Sequence, residues 1–167
     1  LRNKSFLDIP MSEFGMTQGL GSAGNWMSPH DLEQKRGFRS ASDRLNAHQS
    51  DVREAASAAH IFGKKFVAAE SWTGGAYEAP SDMKLIGDYW ATQGINRFVF
   101  HTSTHQPLDT KPGNSMVGTH MHRNITWAEQ ARPFVDYLSR TSYLLQQGQF
   151  VGDILLYLGE AIPSAVP

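Results

Sequence analysis

An apolar run that ends in a carboxylate does most to limit what this chain can become. Phe66-Val67-Ala68-Ala69, entered through Lys64-Lys65, is too short for a helix. It is apolar on both faces, as a parallel strand covered by helices is. Glu70 closes the run, and Ser71-Trp72-Thr73-Gly74-Gly75 follows as an aromatic and glycine-rich loop. The next run of this kind, Arg97-Phe98-Val99-Phe100, closes on His101, with His105 four residues on. In a barrel of parallel strands, catalytic groups stand at the carboxyl ends of the strands. Two successive strands that end this way point to a site rather than to a core.

Strand-like segments are read at Ser5–Ile9, Lys65–Ala69, Asn96–His101 and Phe150–Leu158. Helical patterns lie between them. Ser28-Pro29 reads as an N-cap and first helical position, with Gly37 after the end. Asp51 to Phe62 carries Val52, Ala55, Ala56 and Ala59 on one face and stops at Gly63. Ser81 to Gln93 carries Ile86, Tyr89 and Trp90 at helical spacing and stops at Gly94. Thr126 to Gln147 carries Trp127, Phe134, Leu138 and Leu145, and Pro133 inside it either kinks the helix or marks its true start. Strands that alternate with helices mean a parallel sheet with right-handed crossovers. A full (β/α)8 barrel takes roughly 250 residues. At 167 residues the chain is therefore about half of such a barrel, or a smaller open α/β sheet. Three long loops, Met11–Ala47, Ser71–Ser81 and Thr102–Thr126, all leave strand carboxyl ends on one face, where loops build sites.

The totals exclude several classes. Lys and Arg number 15 against 16 Asp and Glu, so no basic surface invites nucleic acid. No apolar run of about 18 residues is present to span a membrane. With no Cys, thiol catalysis, disulfides and Cys-ligated metal are out. The chain begins with Leu1 and shows no signal peptide, which reads as an internal piece of a longer polypeptide.

Each candidate has a plain structural reading beside the functional one. Glu70 serves as a helix cap or as a partner of Lys64 or Lys65 if it has no catalytic role. Glu13 is a solvated loop charge, a metal ligand or a second catalytic carboxylate. Trp72 offers a flat face for a sugar at little entropic cost. His101, His105, His120 and His122 cluster near one loop, but no His-Glu-x-x-His spacing supports zinc. Hydrogen bonds to sugar hydroxyls suit His101 and His105 better. A metal-dependent hydrolase would need three His or carboxylates converging on one point.

Several strings together carry a resemblance: Asp8-Ile9-Pro10-Met11-Ser12-Glu13-Phe14, Ala55 through Lys65, Val67-Ala68-Ala69-Glu70-Ser71, Gln93 through His101, His105-Gln106-Pro107 and Tyr143 through Val151. Over roughly Phe6 to Glu160 the chain resembles the C-terminal half of the catalytic barrel of glycoside hydrolase family 106, the α-L-rhamnosidase-like enzymes. The resemblance implies an inverting glycosidase, in which a general acid and a general base flank the scissile bond with water between. It implies Glu70 as the general base, and Glu13 near a calcium ion that binds sugar hydroxyls. It implies a general acid on an earlier strand, upstream of Leu1. It further implies a rhamnose-containing glycan or glycoside as partner, a large multidomain enzyme, and a periplasmic or extracellular location. Gly15 to Leu45 reads as an insertion relative to the family pattern. The sheet edges of half a barrel call for a partner, either the remaining barrel segments or another chain. The alternative function is a carbohydrate-binding fragment that lacks the acid and does not cleave.

Overall fold

The computed structural model describes residues 2–16, 41–75, 77–103 and 119–157. The elements run α1 (Arg2–Ser5), β1 (Met11–Gly15), α2 (Ala41–Ile61), β2 (Ala68–Thr73), α3 (Pro80–Thr92), β3 (Arg97–Phe100) and α4 (Arg132–Leu145). The three strands form one parallel sheet in the order β1-β2-β3. Sequential parallel strands with helical crossovers make an arc of an α/β barrel.

Which face the helices cover separates a barrel arc from an open sheet wound on both sides. The core packs Phe14 and Trp72 of the sheet with Val52, Ala55, Ala56 and Ala59 of α2, with Met83, Ile86 and Trp90 of α3, and with Phe134 and Leu138 of α4. Phe98 packs against the same cluster. All three long helices therefore lie on the Phe14 and Phe98 side. Glu13, Glu70 and Val99 alternate onto the other side. That is the barrel arrangement, with helices outside and the second face directed inward.

β3 forms where expected, β2 is shifted to Ala68–Thr73 from the expected Lys65–Ala69 so that Glu70 lies inside the strand, and the outer two segments differ. Ser5–Ile9 is not a strand. Arg2–Ser5 turns as a helix, Phe6 is 80% exposed, and pairing starts only after Pro10, whose carbonyl accepts from Ala68 N at 3.0 Å. The strand that forms is the one that buries Phe14, against Trp72, Trp90 and Phe98 at 5.5–6.3 Å between ring centroids. Phe150–Leu158 was expected as a strand too. Over residues 150–157 no strand forms, and Val151, Ile154 and Leu155 are 83%, 91% and 77% exposed. Its one described ring contact is Phe150 stacked on His60 at 3.8 Å. Without a neighbouring strand to bond, an apolar run has no ladder to join.

The helices keep their expected faces. The second is longer than its pattern, starting at Ala41 rather than Asp51. Pro133 lies at the first turn of α4, so it marks a start and not a kink. The helix read near Ser28 to Gly37 lies outside the described residues. No described helix is long and apolar enough to cross a membrane.

Gly94 ends the α3 turn at φ +111°, and a Cβ there would stand 2.7 Å from the Ala56 Cβ on α2. Gly94→Ala combines a left-handed backbone penalty with overpacking between two helices. It should cost roughly 2 kcal/mol or more. Thermal unfolding of the full-length polypeptide checks this, and an unchanged Tm would contradict it.

Candidate active site

The register of the sheet builds the site. Glu13 of β1 lies opposite Glu70 of β2, and Glu70 opposite Val99 of β3. Neighbouring strands stand about 4.8 Å apart, and residues in parallel register share a face. The two carboxylates therefore rise side by side on the inner face. Glu13 sits within the strand, not in the loop beyond it as expected.

Past Glu70 the alternation breaks. Phe14 pairs with Ser71, but Gly15 pairs with Thr73, so β2 carries one extra residue at Trp72. Trp72 takes φ 63°, outside the usual range for a side chain of its size. This bulge re-aims the next two side chains. Trp72 swings to the helix side, is fully buried, and donates from Nε1 to the Met83 carbonyl at 2.9 Å. Its ring stacks on Phe98 and Phe100 at 5.5 and 5.2 Å. The expectation that Trp72 offers a face to a sugar is corrected here, because other rings cover it. Thr73 turns the opposite way and donates from Oγ1 to Glu70 Oε1 at 2.9 Å.

His101 follows β3 directly. Its Nδ1 lies 3.7 Å from the same Glu70 oxygen, with the side chains 23% and 38% exposed respectively. That nitrogen is buried and, among the described residues, has no hydrogen-bond partner. The backbone fixes its position: His101 N donates to Ser71 O at 3.2 Å, and Thr119 N donates to His101 O at 2.9 Å. His105 lies outside the described residues.

The chain returns to this end of the sheet at Thr119. Its hydroxyl donates to Trp72 O and lies 3.1 Å from Glu78 Oε2. Trp127 Nε1 donates to Glu78 O at 3.1 Å. A Cβ on Gly75 would collide with Thr119 Oγ1 and Glu78 Oε2, so only glycine fits under this loop. The Tyr77 ring, 75% exposed, sits 4.4 Å from the His120 ring, with His122 next to it at 5.9 Å. Burial, with a smaller part from His120, holds the His122 pKa below the usual histidine range. Sequence reasoning passed over Tyr77, an exposed aromatic at the same end of the sheet.

Among the described residues no three His, Cys, Asp or Glu side chains converge to hold a metal ion. Calcium takes 6–8 oxygen ligands, so the described residues do not by themselves make its site, and Glu13 would supply only part of one. A groove of about 350 Å³ between β3 and α4, lined by Phe66, Arg97, Phe98, Phe100, Val135 and Leu138, does not include the carboxylates.

A family model described as alpha-L-rhamnosidase, that of glycoside hydrolase family 106, matches residues 2–166. The chain belongs to this family. The rhamnosidase from Novosphingobium sp. PP1Y has a similar structure, with a TM-score of 0.67 and 34% identity over 87% of this chain. A protein of Formosa agariphila named "Putative beta-glucuronidase" is 45% identical over 112 residues, 65% of this chain. The chain spans 12% of that rhamnosidase and 10% of the Formosa protein. The family membership and the barrel arc agree with the reading from sequence.

Proposed function

We propose that this segment supplies the general base of an inverting α-L-rhamnosidase-type glycoside hydrolase, with Glu70 as that base. The observation that carries it is the pairing of Glu70 with Glu13 on the inner face of the sheet, in a chain of the rhamnosidase family. Glu70 is part exposed, so water can reach it. A carboxylate can take a proton from water as it attacks, which is the work of a general base. The general acid would come from residues outside this segment. Glu13 would contact sugar hydroxyls, directly or as one ligand of a calcium ion. Tyr77 offers the aromatic face that Trp72 does not.

A second reading follows from the same register. Retaining glycosidases hold their carboxyl groups about 5–5.5 Å apart, inverting ones about 6.5–9.5 Å. In-register neighbours such as Glu13 and Glu70 fall near the shorter range by strand spacing, which would make them a retaining pair.

The full-length polypeptide should cleave an aryl α-L-rhamnoside and leave an aryl β-glucuronide intact. Proton NMR should show β-rhamnose as the first-formed anomer. First-formed α-rhamnose would favour the retaining pair, and cleavage of the glucuronide alone would reject the substrate class. In the same assay a chelator tests the calcium part, since weakened sugar binding restored by added calcium would support it.

A further inference from the structure

We infer that Thr73 is the positioning residue for Glu70: it holds Oε1 so that Oε2 is the oxygen presented to water. This rests on the reading of Glu70 as the base. The bulge at Trp72 is what brings Thr73 to the inner face, because regular alternation would have placed Trp72 there. Thr73 Oγ1 then donates to Oε1 at 2.9 Å. His101 Nδ1 stands 3.7 Å from the same oxygen, buried and, among the described residues, without another partner. Catalytic hydrogen bonds are often long in the free enzyme and tighten with substrate. A short approach by His101 would give Oε1 a second donor. Both polar neighbours thus gather on one oxygen. Among the described residues the hydrogen bond to Glu70 falls on Oε1, and Oε2 is the oxygen left for a water molecule.

The geometry separates two jobs that a carboxylate in a site must do. One oxygen fixes the plane and direction of the group. The other accepts the proton. A free Glu side chain has three rotatable bonds and spends little time in any one pose, so a donor on Oε1 raises the fraction of time spent in the productive one. Thr73 acts through Glu70 and need not touch the sugar. Its loss should therefore appear in the chemical step and leave ground-state binding alone.

The test uses the full-length enzyme and a nitrophenyl α-L-rhamnoside, with Thr73→Val, Thr73→Ser and Glu70→Gln measured together. Valine keeps the shape and loses the donor, and serine keeps the donor. Thr73→Val should lower kcat about 10- to 100-fold, the scale of a misplaced catalytic group, with KM within about twofold. Thr73→Ser should recover most of that loss. If Thr73→Val does not fold, Thr73→Ala against Thr73→Ser reads the same contrast. Parental kcat for Thr73→Val beside an inactive Glu70→Gln would overturn the positioning role and leave the base in place. Failure of serine to restore the rate would overturn it as well, since the hydroxyl would then not be the active element. Parental kcat for Glu70→Gln would reject the base itself.

Discussion

Glu70→Gln in the full-length polypeptide should lower kcat on an activated aryl α-L-rhamnoside by about 10² to 10⁴, with KM within about threefold. Glutamine keeps the shape of the side chain and its amide oxygen can still accept from Thr73 Oγ1. It cannot take a proton from water. The interaction that is lost exists only as the water attacks, so the loss falls on kcat and on kcat/KM together. An activated leaving group makes little demand on the general acid and isolates the base. A fall in binding with kcat unchanged would mean that Glu70 holds substrate and does no chemistry.

Trp72→Ala should destabilise the barrel segment by about 3–5 kcal/mol, the range for deleting a buried aromatic side chain. Its ring is fully buried against Phe14, Phe98, Phe100 and Phe134, and its indole N–H serves the Met83 carbonyl. Gly87 on α3 is part of the same fit, because a Cβ there would stand 3.2 Å from the indole. The effect reaches the site as well. Burial of the indole stabilises the bulge, and the bulge sends Thr73 to Glu70. The variant should therefore lose Tm and kcat together. A sugar-stacking Trp would behave otherwise, with KM raised and Tm kept, and that pattern would contradict the core assignment.

This residue also shows where the sequence stops being legible. Glu70 and Trp72 are two apart, and in a regular strand that spacing puts both on one face. One inserted residue reverses the next side chain. Nothing in Ser71-Trp72-Thr73 marks that insertion locally, since its cause is the aromatic cluster brought together by β1, β3 and α4. Thr73 was missed for the same reason. β1 was misplaced because Phe6, Leu7 and Ile9 make a denser apolar run than Met11–Gly15, which holds a single large core residue, Phe14. Choosing between them depends on a hydrogen bond from Ala68 N to Pro10 O across the sheet, a contact that local pattern does not encode. His101 was legible just past β3 because a short apolar run that ends in a polar group needs no long-range information. The same holds for the helix stops at Gly63 and Gly94, both at positive φ. β2, by contrast, runs on through Glu70 to Thr73. The carboxylate pair lay between these cases. Each Glu was visible alone, and their register was visible only in the sheet.

Chemical rescue of Glu70→Ala by azide is the most direct test that Glu70 stands on the face from which water attacks. A first-formed β-rhamnose from the parent enzyme then makes it the base rather than a nucleophile. The smaller side chain leaves room beside the anomeric carbon, and azide is an anionic nucleophile that needs no base. With a nitrophenyl α-L-rhamnoside and the full-length enzyme, azide should restore a substantial part of the lost rate and yield β-rhamnosyl azide. A rate that azide does not raise, or an α-configured azide product, would place Glu70 away from the face on which water attacks.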